Sequence, residues 1–102
     1  NEKCAIVWVT LDMLKSLNIG EDEIEGLASI PRQIEGVLIG ITMKEKEGGF
    51  FKISVRTNGD IDAAKFCSKF GGGGHKAAAG CSINGSLEDV RSQLIKAAEE
   101  TL

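Results

Sequence analysis

A run of four glycines, Gly71–Gly74, leads directly into the only histidine of the chain, His75. Each glycine loses more backbone entropy on folding than any other residue, by roughly 0.5–1 kcal/mol relative to alanine. A folded domain keeps such a run where a ligand must approach the backbone closely. Successive N–H groups can bind an anion in one concavity, so Gly72, Gly73 and Gly74 are candidate phosphate contacts.

The position of His75 favours a role beside this glycine loop, here defined as Gly71–Gly74. A solitary histidine is more often structural or simply exposed, but one that follows the loop directly can donate to a phosphate or stack on a base. A helix starting at the alanines after His75 would add its positive dipole, about 0.3–1 kcal/mol. The P-loop spacing Gly-x-x-x-x-Gly-Lys-Ser/Thr is absent, so the residues alone leave the ligand open as some anion.

Arg56 is the third candidate for ligand contact. It lies on the polar face of a predicted strand with Ser54, and Asn58 follows nearby, so three hydrogen-bonding groups are expected to converge. A bidentate arginine–phosphate contact contributes about 1.5–3 kcal/mol. The alternative is an arginine at a strand end that is solvated, as lysines 52, 65, 69 and 76 are expected to be.

Composition restricts the class of protein. The net charge is −3, with 42% hydrophobic and 26% charged residues, which is ordinary for a globular domain and unlike a general nucleic-acid coat protein. Basic residues nevertheless gather between positions 52 and 76. The sequence has no apolar run long enough to span a bilayer and no signal-peptide pattern at its start, so no membrane contact is expected.

Three cysteines, Cys4, Cys67 and Cys81, are odd in number and form no CxxC pair. A zinc site is therefore not expected, and all three are interpreted as structural. Unmatched thiols suit a reducing compartment, and we expect a cytoplasmic protein.

The hydrophobic pattern predicts a single α/β domain over residues 1–102, with a mixed β-sheet of four or five strands covered by helices in the order β-α-α-β-β-α-β-α. The clearest unit is a hairpin whose strands cover 34–45 and 50–56 around a turn at 47–49. Further expectations are a buried strand at 5–9, a helix capped by Thr10, a helix starting near Asp22 and stopping before Pro31, a helix at 62–70, a strand at 81–83 and a helix capped by Ser86.

Taken together, Ser54-Val55-Arg56-Thr57 and the later run from Gly71 to Gly80 (GGGGHKAAAG) resemble the signature of the DHH-associated domain, type 1. The resemblance covers essentially the whole chain and is strongest to bacterial oligoribonuclease and 3′-phosphoadenosine 5′-phosphate phosphatase enzymes. One departure is Thr57, where many relatives have serine, so a hydroxyl is kept.

The resemblance implies that this domain binds substrate while an N-terminal DHH domain, absent from this chain, holds two manganese ions. It assigns substrate binding to Arg56, Gly72, Gly73, Gly74 and His75, with no catalytic or metal-binding residue. The implied ligands are short RNA oligonucleotides or adenosine 3′,5′-bisphosphate, and an oligomer is left open. The chain has five aspartates scattered along the sequence and a single histidine, so it is expected to be inactive alone. The alternatives are a non-catalytic RNA-binding module, as in alanyl-tRNA synthetase, and a sensor of a small metabolic ligand.

Overall fold

A computed structural model describes residues 3–17 and 36–102 of the chain. The expected C-cap at 18–20, the helix near Asp22 and its end before Pro31 lie outside these residues. No helix in the described segments combines the length and apolar character needed to cross a bilayer.

Five strands form one mixed sheet, in the spatial order β1-β2-β3-β5-β4. The strands are β1 (Cys4–Val9), β2 (Ile39–Lys46), β3 (Phe50–Thr57), β4 (Gly73–Gly74) and β5 (Ala78–Asn84). The first pair, β1 and β2, is parallel, and the other neighbours are antiparallel. The predicted α/β class and mixed sheet are confirmed, as is the hairpin of β2 and β3. The short strand β4, which the glycine loop supplies, was not predicted.

The helices are α1 (Leu11–Leu17), α2 (Ala63–Ser68) and α3 (Leu87–Thr101). One face of the sheet packs against α2 and α3, as period-two alternation in the strands predicts. The strands contribute Ile39, Ile41, Met43, Phe51, Ile53, Val55, Ala79, Cys81 and Ile83 to this core. The helices contribute Ala63, Phe66, Cys67, Val90, Leu94, Ala97 and Ala98. We call this side of the sheet the core face and the other side the polar face.

The prediction that residues 5–9 form a buried strand is wrong in its burial. The strand exists as β1, but most of its residues are only half-buried, and Trp8 is 36% exposed. The physical reason is position: within the described residues, β1 is the terminal strand of the sheet and pairs only with β2. A continuous apolar run is therefore compatible with an edge strand as well as a central one.

Side-chain caps fix where the helices begin. The hydroxyl of Thr10 accepts the Met13 N–H (3.1 Å), and Ser86 Oγ accepts the Asp89 N–H (3.2 Å), which confirms both predicted caps. Helix α2 is shorter than the predicted 62–70. Its last turn tightens, with the Phe70 N–H bonded to the Cys67 carbonyl (2.9 Å), and Gly71 then takes φ +80°, which ends the helix.

Replacing Ser86 by alanine should lower the free energy of unfolding by about 1 kcal/mol, because the first turn of α3 loses the acceptor for its Asp89 N–H. Urea denaturation followed by circular dichroism measures this. Ser82→Ala is the matched control, since Ser82 is an exposed serine on β5. Equal midpoints for the two variants would contradict the capping role.

Candidate functional site

Arg56 lies on the polar face of β3, between two residues with minimal side chains. It pairs with Gly40 of β2 on one side and with Ala78 of β5 on the other. Among the described residues its guanidinium makes one hydrogen bond, from Nη1 to the carbonyl of Val55 (3.3 Å). The side chain is half-buried. Most of its five N–H donors therefore remain for solvent or a ligand.

His75 lies on the same face as Arg56. The backbone N–H of His75 donates to the Ala78 carbonyl (2.8 Å), and the backbone N–H of Ala78 donates to the His75 carbonyl (3.3 Å). The two residues therefore lie opposite each other across a tight hairpin. Directly opposed residues of an antiparallel pair share a face. The row therefore runs Arg56, Ala78, His75, and two strand spacings place the first and last Cα atoms about 10 Å apart.

The neighbouring row of the polar face has no side chains at its β5 and β4 positions. Ser54 pairs with Gly80, and Gly80 pairs with Gly73 of β4. A Cβ added at Gly73 would meet nothing within 4 Å, so the backbone here is open to a ligand. The polar face thus presents Arg56, His75 and the Ser54 hydroxyl around a flat glycine floor.

The hairpin that carries His75 is anchored at its tip by hydrogen bonds to its two tip carbonyls. The Lys76 carbonyl accepts from the Ala63 N–H (2.6 Å) and lies 3.0 Å from the Thr57 hydroxyl, whose single proton it shares with the Ile61 carbonyl (2.8 Å). The Ala77 carbonyl accepts from the Thr57 N–H (3.1 Å). Thr57 is buried, so its hydroxyl bonds backbone carbonyls of the protein and does not face a ligand. Sequence reasoning noted the hydroxyl at this position but missed this structural role.

Two of the glycines are required by close packing against β5. A Cβ at Gly72 would overlap the Gly80 carbonyl oxygen and lie 2.5 Å from Cys81 Cβ. A Cβ at Gly74, which has φ +152°, would lie 2.6 Å from the Ala79 Cα. The second half of the glycine loop is therefore the strand β4, and Gly72 just before it also packs closely on β5.

The expected anion site made of successive free amides is not what the structure shows. The N–H groups of Gly71, Gly72 and His75 donate to the carbonyls of Ser68 (3.1 Å), Cys67 (3.0 Å) and Ala78 (2.8 Å). By the alternation of an antiparallel ladder, the Gly73 N–H turns toward Gly80 and the Gly74 N–H turns outward. The dipole contribution that a helix at the alanines after His75 would make does not arise, because β5 begins at Ala78.

Asn58 does not join the group around Arg56 as expected. Its side-chain amide donates to the Val37 carbonyl (3.0 Å), which ties the end of β3 to the start of β2. The signal for this role was the position of Asn58 at a strand end, where asparagine commonly hydrogen-bonds the backbone.

The lysines of the basic segment lie in two places. Lys52 is exposed on β3, whereas Lys65, Lys69 and Lys76 line a cleft of about 490 Å³ beside α2. Asp60, Asp62 and Glu100 line the same cleft, so its positive charge is matched. Lys69 is further engaged by the Thr101 hydroxyl, with Nζ 3.2 Å from Oγ1. The basic character seen in the sequence is therefore not focused on Arg56.

Two buried cysteines lie beneath the glycine loop. A hydrogen bond from the Cys67 thiol to Cys81 raises the pKa of Cys67 above its ordinary value, and burial acts in the same direction. Burial also raises the pKa of Cys4, which is half-buried. All three side chains are free thiols in the structure.

Within residues 3–17 and 36–102, no three His, Cys, Asp or Glu side chains are grouped so as to hold a metal ion. Of the five predicted substrate contacts, Arg56, Gly73 and His75 lie on the polar face, whereas Gly72 and Gly74 pack closely against β5. The role of all five in binding stays a prediction.

Comparison with known proteins supplies a family. The DHHA1 domain profile matches residues 1–102. The bifunctional oligoribonuclease and PAP phosphatase NrnA of Thermus thermophilus is 30% identical over 83 residues, which cover 80% of this chain and 25% of that protein. The chain thus spans about a quarter of the length of this curated relative.

Solved structures agree on the fold. An exopolyphosphatase-related protein from Bacteroides fragilis matches 97% of this chain and 29% of its own, with a TM-score of 0.89 and 25% identity. The C-Ala domain of Aquifex aeolicus alanyl-tRNA synthetase matches 97% of this chain and 89% of its own, with a TM-score of 0.68 and 16% identity. The pGpG-specific phosphodiesterase PggH of Vibrio cholerae covers the same share of this chain and 34% of its own (TM-score 0.58, 14% identity).

Gly72→Ala should destabilise the fold by roughly 1–3 kcal/mol, because the added methyl overlaps the backbone of β5. Gly73→Ala is the matched control: it makes the same chemical change one residue away, in open space, and should leave stability within about 0.5 kcal/mol. Thermal unfolding of the two variants measures the difference. Equal destabilisation would show that the loop does not pack on β5 as described.

Proposed function

The chain belongs to the DHHA1 domain family, and from this premise we propose that it is the substrate-binding domain of a DHH-family phosphoesterase acting on short RNA or 3′,5′-bisphosphorylated adenosine. The observation that carries the proposal is the row Arg56, Ala78, His75, which brings a guanidinium and an imidazole to one face across a side chain no larger than a methyl. Both groups can donate hydrogen bonds to phosphate oxygens.

The chemistry of the polar face fits a nucleotide phosphate better than it fits an uncharged ligand. Arg56 has donors left for a bidentate contact, which contributes about 1.5–3 kcal/mol. The open backbone at Gly73 allows a ligand to lie flat on the sheet, with the outward Gly74 N–H at its margin. His75 is exposed and can bond a second phosphate oxygen or stack on a base.

Hydrolysis itself is assigned to the N-terminal DHH domain that accompanies DHHA1 domains in relatives of the NrnA kind. Following the family resemblance, we assign manganese to that domain, where it would supply the hydrolytic chemistry. Within residues 3–17 and 36–102, no three His, Cys, Asp or Glu side chains are grouped as metal ligands. This chain's part is to bind the phosphate and hold it in place. We propose a cytoplasmic location on the grounds of its free thiols.

The matched relatives support the substrate class. One is named for oligoribonuclease and PAP phosphatase activities, and its identity of 30% extends over most of this chain. Phosphorylated short nucleotides are the ligands shared by the two activities in that name. The synthetase C-Ala domain shares the fold alone, so a non-catalytic RNA-binding module is the alternative that binding measurements must separate.

Adenosine 3′,5′-bisphosphate should bind the 102-residue chain weakly, with a Kd of about 0.1–1 mM, because two or three phosphate contacts offset the entropy lost on association. Amide shifts in an NMR titration should centre on residues 71–75 and Arg56, with adenosine as the phosphate-free control ligand. Shifts elsewhere, together with tight binding of structured RNA, would favour the RNA-binding module instead.

Arg56→Ala and His75→Ala should each weaken this binding about tenfold, the loss expected for one charge-assisted contact. Lys96→Ala is the control, since Lys96 is an exposed cation on α3, on the other side of the sheet. In the full-length enzyme the same two variants should raise KM and leave manganese affinity unchanged. A lowered manganese affinity would contradict the division of roles.

A further inference from the structure

A groove of about 240 Å³ lies between β1 and α3, on the core face of the sheet. Its β1 wall consists of Cys4, Ile6 and Trp8, whose register partners Ile39, Ile41 and Met43 are core residues. Its other wall is the flank of α3, formed by Arg91, Ile95, Ala98 and Glu99. We call this feature the β1–α3 groove.

The groove exposes side chains of the types that are common in protein–protein interfaces. Trp8 is 36% and Ile95 is 38% exposed, and both are among the few large hydrophobic residues at the surface of the described chain. The Arg91 guanidinium lies 5.7 Å from the centre of the Trp8 ring, a cation–π contact. Tryptophan and arginine are the residue types most enriched at the centres of protein interfaces.

The charges on the α3 wall are arranged so that two copies of this wall could pair with each other. Arg91, Ile95 and Glu99 are spaced by four residues, so they form one stripe along the helix, with a cation and an anion about 12 Å apart on either side of an isoleucine. A twofold axis through Ile95 would bring Arg91 against Glu99 of a second copy, and Glu99 against Arg91 of that copy. Such reciprocity is the signature of an isologous interface.

We propose that the β1–α3 groove is the interface of a homodimer, in which two copies of this chain pack α3 antiparallel to α3 and cover each other's Trp8. Ile95 meets Ile95 of the second copy at the axis, and two equivalent Arg91–Glu99 pairs flank it. Covering the groove removes the exposed indole and isoleucine from water. The core-face side of β1, which is partly exposed in one copy, is covered by the second copy.

The position of the groove leaves the phosphate-binding face free. Arg56 pairs with Gly40, whose β1 neighbour is Ala5, so the Arg56 row lies on the polar face. Cys4, Ile6 and Trp8 lie on the opposite side of the same sheet. A dimer formed through α3 therefore keeps both copies of Arg56 and His75 accessible, and the inference does not depend on which ligand they bind.

Sedimentation equilibrium of the 102-residue chain tests the proposal, and we expect reversible dimerisation between about 1 and 100 μM. Trp8 is the only tryptophan, so its emission reports the groove directly and should shift to shorter wavelength as dimers form. A chain that stays monomeric over this range, with Trp8 emission independent of protein concentration, would overturn the proposal. The groove would then be exposed to solvent or be covered by another domain.

A charge-swap series isolates the reciprocal pairs. Arg91→Glu and Glu99→Arg should each weaken the dimer about tenfold or more, because each change places like charges opposite one another twice. The double variant R91E/E99R should restore dimerisation, because it places opposite charges against one another again. This recovery separates the effect of charge pairing from the loss of either native side chain. Lys96→Glu is the matched control: it makes the same charge change on an exposed position of α3 that does not line the groove, and it should leave the Kd within about twofold. Failure of the double variant to recover, with all four chains folded by circular dichroism, would refute the pairing.

Discussion

The hydrogen bonds that anchor the β4–β5 hairpin to the end of β3 are the constraint on which the site depends. The Thr57 N–H donates to the Ala77 carbonyl, and the N–H of Ala63, the first residue of α2, donates to the Lys76 carbonyl. The Thr57 hydroxyl lies within hydrogen-bond distance of the Lys76 and Ile61 carbonyls and shares its proton between them. Buried bonds of this kind each contribute about 0.5–1.5 kcal/mol, and they also fix register. A shift of one residue would turn His75 to the core face and separate it from Arg56.

The glycines contribute to this arrangement mainly by their lack of a side chain, and less by offering backbone N–H groups to an anion. Gly72 and Gly74 have no room for a side chain because β4 presses against β5, and Gly73 lies open on the polar face. The amides of this stretch are mostly spent on the protein's own carbonyls. The sheet therefore has a flat floor at this point, and in the proposed site the positive charge would come from Arg56, with His75 as a second donor. This arrangement would account for four glycines and a distant arginine acting in one site.

The two faces of the sheet differ in which of their residues are covered. On the core face, α2 and α3 cover the central strands, whereas among the described residues β1 at the margin lies beside the flank of α3. On the polar face, β2 is buried while the row of Arg56 and the neighbouring glycines stays accessible. The proposed ligand site and the proposed dimer interface therefore lie on opposite sides of one sheet and share no residues.

The sequence by itself determined the elements whose signals are local. Alternation placed Ile53 and Val55 inside and Arg56 outside, and the hydroxyls of Thr10 and Ser86 marked where helices start. Whether strand β1 was central or marginal, and whether the glycines formed an amide nest or a strand, depended on contacts between residues far apart in the chain. Only the tertiary structure decided these, because strand pairing is a long-range choice. That pairing sets the neighbours of His75 and the burial of Trp8, and no residue carries this information in its own local pattern.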